Sequence, residues 1–99
     1  MRVTLRYFDG CPHWRTADAR LKEALVNTGH AGVVVAYERV ETPAAAERLG
    51  FVGSPTVLVD GIDPFARAGS PVGLACRVYL TPEGLAGSPT VDQLMEVLR

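Results

Sequence analysis

Four side chains of this 99-residue sequence stand out for their chemistry: the two cysteines, Cys11 and Cys76, and the two histidines, His13 and His30. Cys11 follows Asp9-Gly10 and precedes Pro12, which places it between the end of a strand and the start of a helix. Unpaired backbone N–H groups and the positive end of the helix dipole favour an anion there. A thiolate is such an anion, and a thiol so placed has a lowered pKa and becomes a nucleophile near neutral pH. This reading requires Cys11 to be at least partly open to solvent. The competing reading makes it a small buried residue under the helix. His13 either supports a thiolate or bonds a substrate, or is simply solvated on the first turn. Trp14 either walls the thiol pocket or packs the helix on a sheet. Tyr7 and Asp9 fall near the same point of the chain and serve equally well as strand and turn residues. His30 has no cysteine or histidine at ligand spacing, so neither a metal site nor a cofactor is expected.

A second group is Ser54-Pro55-Thr56, between a short helix and a strand, a context in which an X-Pro bond can be cis. The backbone edge at Ser54 would then lie open beside the first helix, where an extended peptide or a thiol substrate could pair with it. An ordinary trans proline opening an edge strand is the alternative. Cys76, early in a later strand, is expected beyond the ~7 Å Cα separation that a disulfide tolerates, and so to be structural. The long loop from Ile62 to Gly73 keeps an intramolecular pair open as the competing possibility.

Positioning these residues requires a succession of elements. Val3 to Phe8 alternates as a strand does, and Trp14, Ala17, Leu21, Ala24, Leu25 and Thr28 recur at helical spacing until Gly29. Val33 to Val40 is a second strand, whose apolar first half suits cover on both faces. It should lie parallel to the first, across the intervening helix. Thr42 caps a short helix that stops at Gly50. Thr56 to Asp60 is a third strand and Cys76 to Leu80 a fourth, followed by a turn over Thr81 to Gly84. A capping box from Thr90 to Gln93 opens the last helix. The expected fold is α/β, one domain in the order β-α-β-α-β-β-α, with a four-stranded mixed sheet.

Composition narrows the function. With 47% hydrophobic and 21% charged residues the balance is that of a globular domain. The net charge is -1 and no basic run occurs, which speaks against nucleic acid as a partner. Nothing approaches the ~20 consecutive apolar residues of a membrane span. Arg2, Arg6 and Asp9 interrupt any signal-peptide pattern, so a cytoplasmic location is expected. Two cysteines are too few for a disulfide scaffold.

Cys11-Pro12-His13-Trp14 before a helix, with Ser54-Pro55-Thr56 before the third strand, resembles the thioredoxin fold over essentially the whole chain. The motif is similar to the Cys-Pro-His-Cys site of bacterial disulfide oxidants, with Trp14 in the fourth position. The resemblance implies that Cys11 is the attacking thiol and Pro55 a cis proline, with no resolving thiol at position 14. The stretches YFDGCPHW, GFVGSPTVLVDGIDPF and CRVYLTPEG further resemble small bacterial thioredoxin-like proteins, relatives of which carry selenocysteine in the place of Cys11. That implies a redox or nucleophilic role.

The function so expected is a thiol-dependent oxidoreductase working through Cys11 alone, by thiol-disulfide exchange or peroxide reduction. Its partners would be a thiol or disulfide substrate and a low-molecular-weight thiol reductant, with His13, Trp14, Ser54, Pro55 and Thr56 lining the substrate site. The alternative is a non-catalytic thioredoxin-fold module holding a peptide or a thiol or metal ligand in the same groove.

Overall fold

In a computed structural model that describes residues 1–99, the chain runs β1 (Val3–Tyr7), α1 (His13–Asn27), β2 (Val35–Arg39), α2 (Pro43–Leu49), β3 (Thr56–Val59), β4 (Tyr79–Thr81), β5 (Gly84–Ala86) and α3 (Val91–Leu98). β1 is the middle strand of a sheet ordered β2-β1-β3, parallel to β2 and antiparallel to β3. Strand alternation sends Val3 and Leu5 to one face, where Val35 and Val57 join them. Ala17, Leu21, Ala24 and Leu25 of α1 and Leu94 and Leu98 of α3 complete that core. Each leucine fully buried there contributes roughly 1.5–3 kcal/mol, so this contact fixes α1 and the residues leading into it. A smaller cluster of Val40, Ala46 and Phe51 seats α2.

Local signals set the ends of the short helices. Thr42 accepts a hydrogen bond from the Ala45 N–H, and Gly50 closes α2 in the left-handed conformation. Thr90 and Gln93 form a reciprocal capping box at α3. Pro12 stands at the N-cap of α1, without a side-chain cap.

The expected four-stranded sheet is not formed. The sheet has three strands, and β4 pairs instead with β5 in a separate two-stranded ribbon. The reason lies upstream of β4, where residues 73–77 are drawn to the loop before β3. Gly73 N donates to Phe51 O at 3.0 Å, Ser54 N to Ala75 O at 2.8 Å and Arg77 N to Ser54 O at 2.8 Å. With its backbone groups committed there, the chain does not run along β3. It doubles back through Pro82-Glu83, and Gly84, at φ +106°, lets β5 return on β4.

The second strand also differs from expectation. β2 is an outer strand in which Val35 alone is buried, and the preceding Val34 is 86% exposed. Its apolar run reflects a free sheet edge rather than cover on both faces.

Candidate active site around Cys11

The turn between β1 and α1 is closed by the Cys11 N–H, which donates to Phe8 O at 3.0 Å. The Phe8 N–H in turn donates to Ser54 Oγ at 3.0 Å, tying the loop before β3 to this turn. The Ser54–Pro55 bond is cis, and the Ser54 carbonyl oxygen lies 3.6 Å from Cys11 Sγ. Cys11, Ser54 and Pro55 therefore meet at one end of the central sheet, where β1 ends and β3 begins.

Cys76 is there as well. It forms a disulfide with Cys11 across a Cα separation of 5.6 Å, which corrects the expectation of a remote, structural Cys76. The segment around it forms a parallel bridge with Ser54, so both backbone groups of Ser54 are used by the chain itself. The edge expected to pair with a substrate is thus filled by Ala75, Cys76 and Arg77. Cys11, covered by that segment, has no exposed surface, contrary to the expectation of a partly accessible thiol. Cys76 is the exposed partner of the pair.

Arg77 anchors the segment. Its Nη1 donates to Asp63 Oδ2 at 2.6 Å and to Thr56 Oγ1 at 3.2 Å, and its Nη2 donates to Phe65 O at 2.7 Å. The guanidinium also lies 4.7 Å from the Tyr79 ring centroid. Tyr79 donates its hydroxyl to Pro55 O, and burial pushes its phenol well above the usual range, with the Arg77 charge opposing. Gly53 makes the approach possible. At φ +118°, a Cβ there would sit 3.0 Å from Arg77 Cβ and 3.2 Å from Ala75 O.

The other expected site residues divide. His13, exposed on the first turn of α1, lays its ring over Gly87 so closely that a Cβ at Gly87 would collide with it. Trp14 stacks on Tyr7 with centroids 4.2 Å apart and packs at the margin of the main core. Thr56 is turned inward, donating to Gly53 O at 2.7 Å and accepting from Arg77 Nη1. Asp9 pairs with Arg39 at the surface. His30 is held by Leu98 O at 3.0 Å, away from both cysteines. Arg77, Asp63, Tyr79 and Gly53 escaped the sequence reading, because their roles arise only once residues 73–77 fold back.

The donor atoms of Cys11, His13 and Cys76 all lie within 4.8 Å of one another. Beside Cys76 opens a cleft of about 680 Å³, with Val52, Phe65, Pro71, Arg77 and Tyr79 among its walls. The arrangement offers one covered sulfur at a helix start, one exposed sulfur at a cleft and an imidazole between helix and ribbon. No helix is long and apolar enough to cross a membrane. Compared with family models, curated proteins and solved structures, the chain matches none.

Proposed function

We propose that the protein is a thiol-disulfide oxidoreductase that uses Cys11 and Cys76 as a pair. The observation that carries this reading is the bond between a cysteine at a helix start and a cysteine on the segment that fills the Ser54 edge. In the reduced chain the thiolate of the exposed Cys76 attacks a substrate disulfide, forming a mixed disulfide and releasing one substrate thiolate, which takes a proton from water. Cys11, as its thiolate at the α1 N-terminus, then attacks the Cys76 sulfur, closes the internal bond and releases the second thiolate. Two electrons pass from the two protein thiols to the substrate.

Two equivalents of a low-molecular-weight thiol reset the pair. The first attacks the exposed Cys76 sulfur and expels Cys11 as a thiolate into the field of the α1 N-terminus, which favours it as a leaving group. The second releases the thiol bound to Cys76. A cytoplasmic location belongs to the same proposal, since a reducing compartment keeps such a bond cycling rather than permanent. Kinship with thioredoxin-like proteins is part of it too, supported by Cys11-Pro12-His13 at the helix start and by Ser54-Pro55-Thr56.

Glutathione disulfide tests the pair. Reduced Cys11→Ser should accumulate one glutathione adduct on Cys76 by mass spectrometry, whereas the wild-type chain should pass to the internal disulfide and release the glutathione. A stable adduct on the wild-type chain, or no adduct on Cys11→Ser, overturns the reading.

A further inference from the structure

We propose that the reduced chain binds one thiophilic d10 cation of the Zn²⁺ class through Cys11 Sγ, Cys76 Sγ and an imidazole nitrogen of His13. The inference goes beyond the oxidoreductase reading and does not rest on it, because it needs only the three donors to stand together. No local spacing announces them. Cys11 and His13 flank Pro12 at the start of α1, and Cys76 arrives 65 residues after Cys11 along the chain.

Three observations carry it. First, the donor atoms lie within 4.8 Å of one another. Zn–S bonds of ~2.3 Å and Zn–N bonds of ~2.0 Å place tetrahedral donors roughly 3.5–4 Å apart, so the imidazole is within reach and the two sulfurs, bonded to each other in this structure, need only part. Second, the imidazole has a seat. The His13 ring lies over Gly87, where any side chain would displace it, so α1 and the segment after β5 together hold the ring beside the two sulfurs. Third, the neighbouring cation is committed elsewhere. Arg77 follows Cys76 directly, yet its guanidinium is bonded to Asp63, Thr56 and Phe65.

The donor set selects the ion. Two thiolates and an imidazole suit Zn²⁺ and its soft congeners, and the absence of a carboxylate from the set disfavours Mg²⁺ and Ca²⁺. Three protein donors leave a fourth position for water or for a thiolate ligand, and the cleft reaches Cys76 to admit it. Cation and disulfide exclude each other, because sulfurs bonded to one another are not thiolate donors. A two-electron reductant opens the bond and yields two thiols, which give up their protons as the cation binds. The site thus exists in one redox state of the chain.

The full chain, reduced with a phosphine and freed of it under argon, is titrated with Zn²⁺ against a chromophoric chelator, and with Co²⁺ as a spectroscopic probe. Expected are one equivalent of Zn²⁺ and sulfur-to-cobalt charge-transfer bands with a tetrahedral ligand field, both missing in the oxidised chain. His13→Ala should weaken binding roughly tenfold or more, since even changes outside the ligand set cost that much. Gly87→Ala, which removes no donor, should weaken binding by pushing the ring aside. Absence of one-equivalent binding by the reduced chain, equal binding by the oxidised chain, or affinity unchanged in both His13→Ala and Gly87→Ala overturns the proposal. Failure of glutathione exchange leaves these readouts untouched, so the two readings fall separately.

Discussion

Arg77 Nη1 donates to Asp63 Oδ2 at 2.6 Å, and through this ion pair the residue following Cys76 is clamped to the turn that follows β3. Both side chains are largely withdrawn from water, so their separation leaves a charge poorly solvated. The clamp and the bridge to Ser54 hold Cys76 beside Cys11 through contacts other than the bond between them.

Arg77→Ala should therefore cost roughly 2–4 kcal/mol, because it strands Asp63 and removes the donors to Thr56 and Phe65. Urea denaturation of the oxidised chain measures the loss. The same variant should re-form the Cys11–Cys76 bond more slowly from the reduced state, followed by alkylation and mass spectrometry. Unchanged stability together with unchanged closure would mean that the clamp does not position Cys76.

Gly53→Ala and Gly50→Ala separate conformational strain from crowding. Both positions have positive φ, +118° and +64°, but an added Cβ meets Arg77 and Ala75 at Gly53 and open space at Gly50. Gly50→Ala should cost about 1 kcal/mol through backbone conformation alone. Gly53→Ala should cost about 1–3 kcal/mol from the rarer conformation, with the crowding added to it, and should also slow disulfide closure. Equal losses at the two positions would show that residues 75–77 do not press on Gly53.

The buried phenol of Tyr79 gives the chain an alkaline limit. Its folded pKa is raised above the unfolded value of ~10 by burial, so the neutral form is the one that folding favours. The associated stability is fully present below about pH 10 and is lost as the pH rises from there. Tyr79→Phe should flatten that alkaline decline, while costing roughly 1–2 kcal/mol at neutral pH by leaving Pro55 O without its donor. Thermal unfolding from neutral to alkaline pH, compared between the two chains, checks both effects. An identical alkaline decline in Tyr79→Phe would place its origin elsewhere.

What could be read from sequence was what neighbours along the chain decide. The Thr42 cap, the Gly50 stop and the Thr90–Gln93 box depend on residues three to eight positions apart, and the α1 stripe depends on its own period. The parallel pairing of β1 with β2 follows from the helix between them. The place of residues 73–77 follows from nothing local. It depends on Arg77 finding Asp63, on Gly53 leaving room and on Cys76 meeting Cys11. Gly84-Leu85-Ala86 carries no strand pattern of its own, and it pairs only because β4 turns away from β3. The covering of Cys11 and its closeness to His13 and Cys76 share that origin, so the site was visible as a motif and hidden as an arrangement.

The Cys11–Cys76 bond also divides the molecule in a way that the sheet does not. It closes a covalent circle that contains α1, β2, α2 and β3, and it leaves β1 outside. Yet β1 is the strand to which both β2 and β3 are bonded. Circularising a chain over a separation of 65 residues limits its unfolded excursions by about 4 kcal/mol, whichever strand fills the gap. Oxidation therefore ties the rim without supplying the piece that occupies its middle. With residues 3–7 displaced, the circle would persist and both ladders would be gone.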